Sequence, residues 1–180
     1  MLGKNLVEVK KSTVALLKSK DYVEKYSIRL VLPNSLRVDL LERKASFAIG
    51  SHTLGFLLVD KSGRILQKVD TTSLPYLNLN TSILNSNGKV EESTLFALEL
   101  LSYVYNLYNL DTGNLFEDRV EFKLPLGPKI IFPIEGDKEV LIGSLRLIIG
   151  GLNSYIENHR IEKAQNQITI DLRFKNPVIQ

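Results

Sequence analysis

The sequence predicts an α+β fold: a short helix–strand–strand unit, then a larger mixed or antiparallel β-sheet domain with helices packed on one face. Three observations carry this. Over residues 91–109 apolar residues recur every three or four positions, the period of one helix face. Over 22–40 and 167–174 they alternate with polar residues, the period of a strand. Cysteine is absent from all 180 residues, so neither disulfides nor thiolate metal sites shape the fold.

The elements follow in order. Residues 5–20 place Leu6, Val9, Val14 and Leu17 three to five apart, with Leu16 beside them. This predicts an imperfect amphipathic helix whose lysine-rich side is a solvated face. From Tyr22 to Leu32, Lys25, Ser27 and Arg29 alternate with β-branched and aromatic residues, a strand pattern. Pro33-Asn34-Ser35 signals a turn, and Leu36–Leu40 a second strand. This unit ends near Arg43, which sets the expected domains at 1–44 and 45–180.

From Ala45 the pattern changes. Ser46–Ile49 and Leu54–Val59 are short apolar stretches, followed by Asp60-Lys61-Ser62-Gly63. That is a hairpin turn with Gly63 at the positive-φ position, and Ile65–Val69 is the returning strand. Thr71–Asn87, rich in Asn, Thr and Ser, reads as a surface loop anchored by Leu74-Pro75-Tyr76-Leu77. Leu95, Leu98, Leu101, Tyr105 and Tyr108 define a helix over 91–109, with Glu91 and Glu92 where the helix dipole favours acids. Asp111-Thr112-Gly113 is expected to stop it.

Arg119–Pro125 and Lys129–Ile134 read as strands, the first with Val120, Phe122 and Leu124 on one face. Gly136-Asp137 then caps a helix through Leu141, Leu145, Ile148, Leu152 and Ile156. Gly143, Gly150 and Gly151 weaken it by up to about 1 kcal/mol each against alanine. The last strand is expected over Gln167–Phe174. Ile168, Ile170, Leu172 and Phe174 share its core face, and Thr169, Asp171 and Arg173 its other face.

The chemistry-bearing residues point away from catalysis. His52 and His159 are isolated, without ligand-spaced neighbours. Ile149-Gly150-Gly151-Leu152 lacks the further glycine or Gly-Lys of a phosphate loop, and no Gly-x-Ser-x-Gly elbow occurs. The carboxylates are scattered. A formal net charge of +3 is too small to argue for a nucleic-acid partner. No apolar run approaches the roughly 18 residues of a membrane span. The expectation is a non-enzyme with no catalytic residues, no cofactor, no metal and no small-molecule substrate.

The order of short motifs resembles the FtsQ/DivIB family of bacterial cell-division proteins along nearly the whole chain. Gly3-Lys4-Asn5-Leu6, Leu17 and Tyr22-Val23 look like the second half of a POTRA domain. Ser27–Val38 resembles its paired strands, and Glu42-Arg43 the charged pair that closes it. Ala45 stands where the family often has a proline. Leu58-Val59-Asp60-Lys61-Ser62-Gly63-Arg64-Ile65 resembles the early hairpin of the family's β-domain, and Leu74-Pro75-Tyr76-Leu77 the loop after it. Ile170-Asp171-Leu172-Arg173-Phe174 resembles its most recognisable late strand.

The resemblance implies a POTRA-like unit and a β-domain outside the cytoplasmic membrane. Its anchor would be a single-pass helix outside these residues. It also implies a division scaffold that binds FtsB/DivIC-like and FtsL-like partners by strand addition to the last strand. Thr169, Asp171 and Arg173 on the non-core face would then meet the partner. Phe174 and Asn176 match family positions near the strand end. On this reading Phe174→Ala, or a proline at Thr169, abolishes partner binding and leaves the fold largely intact. Two alternatives stand beside it: another POTRA-containing envelope assembly or chaperone-like protein, and a small-molecule- or peptide-binding enzyme of unknown chemistry.

Overall fold

The side chain of Asn5 starts the first element. Its Oδ1 accepts the Val7 amide at 3.1 Å, satisfying one orphan donor of a helix N-terminus. The helix α1 then spans Leu6–Lys18. The structure is a computed structural model that describes residues 5–20, 22–51, 53, 55–79, 88–125, 127–159 and 168–180. Gly3-Lys4, His52, Leu54, residues 80–87 of the expected loop and Gln167 lie outside the described residues. The chain divides into two compact units, Met1–Ala45 and Ser46–Gln180. Among the described residues, no helix is long and apolar enough to cross a membrane.

In the first unit α1 is followed by an antiparallel ribbon of β1 (Val23–Val31) and β2 (Ser35–Glu42). The register pairs Tyr26 with Leu40, Ile28 with Val38 and Leu30 with Leu36, which places six apolar side chains on one face. Leu17 of α1 and Val23 are buried, whereas the neighbouring Leu16 is exposed. On the polar face of the ribbon Asp39 accepts from Arg37 at 3.1 Å and from Ser27 at 3.2 Å. The Arg37 hydrogen bond holds the Asp39 carboxyl below its ordinary value.

Among the described residues, the second unit is a nine-stranded sheet with two helices. Its strands are β3 (Phe47–Ser51), β4 (Gly55–Val59), β5 (Ile65–Val69), β6 (Tyr76–Leu79) and β7 (Thr112–Leu115). They continue with β8 (Arg119–Lys123), β9 (Lys129–Pro133), β10 (Thr169–Asp171) and β11 (Val178–Ile179). The helices are α2 (Glu92–Tyr108) and α3 (Lys138–His159). The order across the sheet is β11-β10-β9-β8-β7-β6-β3-β4-β5. The β3–β6, β6–β7 and β9–β10 pairs are parallel and the others antiparallel.

One face of this sheet supplies Ile49, Leu77, Val120, Phe132 and Ile170 to a single core with Leu98 and Leu101 of α2 and Leu145 of α3. Phe122 and Phe132 meet edge to face there, ring centroids 5.8 Å apart. Lys138 at the start of α3 pairs with Glu99 of α2.

Local signals form as the residue chemistry requires. Asp60 Oδ1 accepts from the Ser62 and Arg64 amides at 2.8 and 3.0 Å, and Gly63 has φ 78°. Asp137 Oδ1 accepts the Glu139 and Val140 amides at 2.9 and 3.1 Å, capping α3.

Three expectations are corrected. The segment expected as a surface loop contributes β6, a central strand with Leu77 wholly buried, because it fills the place between β3 and β7. Asp111-Thr112-Gly113 does not stop α2. Asn109 does, at φ 55°, with its amide on the Tyr105 carbonyl at 2.8 Å. Thr112–Leu115 is instead β7, where a Cβ on Gly113 would stand 2.5 Å from Phe122 Cε1. This glycine marks close packing.

The third correction concerns the last strand. β10 ends at Asp171, whose Oδ1 accepts the Arg173 amide at 3.0 Å and turns the chain. Ile170 and Leu172 are buried as expected, but Phe174 leaves the core face and is 56% exposed. The last strand is β11, lying along β10.

Candidate functional site

The expected contact residues fall in and just after β10. Thr169 and Asp171 belong to the strand, Arg173 and Phe174 to the turn that leaves it, and Asn176 to the exposed link before β11. Their backbone is not an open edge. On one side β9 pairs with β10: Lys129 donates to the Ile168 carbonyl and Leu172 to that of Ile131, both at 2.8 Å. On the other side Thr169 donates to the Gln180 carbonyl at 2.8 Å and Gln180 to that of Thr169 at 3.0 Å. A proline at Thr169 would therefore break the pairing with β11 rather than leave the sheet intact.

The open edge is one strand further out. Antiparallel pairs alternate between hydrogen-bonded and non-bonded. Thr169 and Gln180 exchange both bonds, so the Ile170–Ile179 pair is a non-bonded one. The amide and carbonyl of Ile179 point outward. β11 is terminal in the sheet, so these groups have no strand partner among the described residues. Ile179 shares the helix-side face with Ile170, and Val178 the opposite face with Asp171. Val178 is 36% and Ile179 51% exposed. Pro177-Val178-Ile179 is a β-branched pair after a proline, and that was the one sequence signal for this strand.

A groove of about 290 Å³ lies beside this edge, between the first turns of α3 and the link into β11. Val140, Leu141, Leu172, Phe174 and Pro177 give it an apolar wall, and Glu135, Asp137, Ser144, Arg173 and Lys175 polar or charged points. Val140 is 63% and Phe174 56% exposed.

The opposite face of the sheet carries charges of alternating sign. The Arg173 guanidinium donates from Nη2 to Asp171 Oδ2 at 2.8 Å and from Nη1 to Asp118 Oδ2 at 3.0 Å. Asp118 Oδ1 accepts Arg119 Nη1 at 2.9 Å, and Arg119 Nε donates to Glu121 Oε1 at 2.7 Å. Glu121 Oε2 meets Lys129 Nζ at 2.7 Å. The Arg173 hydrogen bond holds the Asp171 carboxyl below its ordinary value and raises that of Arg173 itself. Burial pushes the Glu121 carboxyl up, but the hydrogen bonds from Arg119 and Lys129 outweigh it, so the carboxyl sits low. These groups are held charged.

Arg173 and Asp171 are thus engaged with the protein itself, and Phe174 lies 5.8 Å from the Arg173 guanidinium. No three His, Asp or Glu side chains come together as a metal site among the described residues. No protein-family model matches the chain, and no curated protein matches it.

Proposed function

We propose that the chain is the extracytoplasmic part of a division scaffold of the FtsQ/DivIB type. The first unit would be the C-terminal part of a POTRA domain and the second the β-domain. On this reading it is a non-catalytic, membrane-anchored protein. It binds FtsB/DivIC-like and FtsL-like partners by adding their strand to its own terminal strand. The observation that carries the reading is the outward amide and carbonyl of Ile179 on a short, exposed strand at the end of the sheet.

The physics of such docking is direct. A partner strand hydrogen-bonds the outward groups of Ile179, which fixes its register. Its side chains on the helix-side face continue the row of Ile170 and Ile179, and one apolar side chain reaches the groove beside Phe174. Backbone bonds supply affinity, and the groove supplies selectivity. Mixing the chain with the extracytoplasmic segment of an FtsB/DivIC-like protein in a calorimeter tests this. Heat of binding with one-to-one stoichiometry is expected. Absence of binding at high micromolar concentration refutes the reading.

A further inference from the structure

The link 172–177 delivers β11 to the edge of β10, and β11 itself contributes only two register pairs. So short a strand is marginal by itself. Within the link, Leu172 is buried, and residues 173–177 are exposed. Arg173 is where the link is tied down. Its contact with Asp171 is local and fixes the turn. Its contact with Asp118, 55 residues away in the turn between β7 and β8, ties the link across the sheet.

We propose that Asp118 is a positioning residue for the β11 edge, holding the link through the Arg173 guanidinium so that Val178 and Ile179 stay in register on β10. The inference deepens, and rests on, the reading of that edge as the docking strand. Releasing Arg173 from Asp118 leaves the turn at Asp171 but frees the link to open. The opening would be local, because β10 remains bonded to β9. Asp118 and Arg173 are both partly exposed, at 60% and 31% of their side chains, so the effect is a few-fold rather than all-or-none.

Amide hydrogen exchange on the full 180-residue chain tests this without any partner. Asp118→Asn is expected to speed exchange at Gln180 and Thr169 by about two- to five-fold. The Ala48 amide, bonded to the Pro75 carbonyl far across the sheet, is expected to keep its rate. About 1 M NaCl should accelerate exchange in the parent and add less in Asp118→Asn, where the attraction between Asp118 and Arg173 is already gone. Asp118→Glu should restore most of the protection. Unchanged exchange at Gln180 and Thr169 overturns the proposal, and so does equal acceleration at Ala48. Since no partner is present, this result stands apart from whether the edge docks one.

Discussion

Replacing Ile179 by proline separates docking from folding. The substitution removes the outward amide of Ile179, while the amides of Val178 and Gln180 that face β10 remain. Proline is tolerated on an edge strand where its missing donor would face solvent. Ile179 is 51% exposed, so loss of its side chain costs the fold little. A partner carbonyl arriving at this position finds no donor and is left unsatisfied in a partly dried interface. That costs about 1–3 kcal/mol, or about 5- to 150-fold in Kd. Titration calorimetry against the FtsB/DivIC-like segment, with a thermal melt of each variant, reads both effects. Gln180→Pro is the contrast. It breaks the 3.0 Å bond to the Thr169 carbonyl and should loosen β11 itself, lowering stability as well as affinity. If Ile179→Pro binds with parental affinity and melts normally, the partner does not add to this edge.

Further outcomes are expected. Phe174→Ala should lower partner affinity by about 1–2 kcal/mol and leave the melting temperature nearly unchanged, because the residue is 56% exposed; calorimetry with a parallel melt checks both. Gly113→Ala should destabilise the second unit by about 1–3 kcal/mol in urea unfolding, because its methyl collides with the buried Phe122 ring; an unchanged midpoint would contradict the packing described for β7. The lowered carboxyl of Asp171 contributes stability that is fully present above the ordinary aspartate value of about 3.9 and is lost as pH falls through its folded value. Asp171→Asn should therefore flatten the acid limb of a stability–pH curve, and an identical limb in both proteins would show that the Arg173 pairing carries no such linkage.

Elements with a full period of their own were legible in the chain. The helix over Glu92–Tyr108 shows three- and four-residue spacing for more than three turns, and the hairpin at Asp60–Gly63 carries its own turn chemistry. The alternation around Ile170 likewise identified the buried pair Ile170 and Leu172. β6, β7 and β11 have four, four and two residues, too few to display a period. Their existence is decided by neighbours distant in sequence: β3 and β7 on either side of β6, and β10 beside β11.

The proposed docking edge shows the same division. The residues of 168–174 alone specified an amphipathic strand with Thr169 and Asp171 turned away from the core. Tertiary structure decided that this strand is covered by Val178 and Ile179, that Arg173 is spent on Asp171 and Asp118, and that Phe174 faces out. Side-chain period is a local property, written every two or four residues. Which backbone edge stays open depends on pairings made across the whole sheet, and those are settled only when the chain has folded.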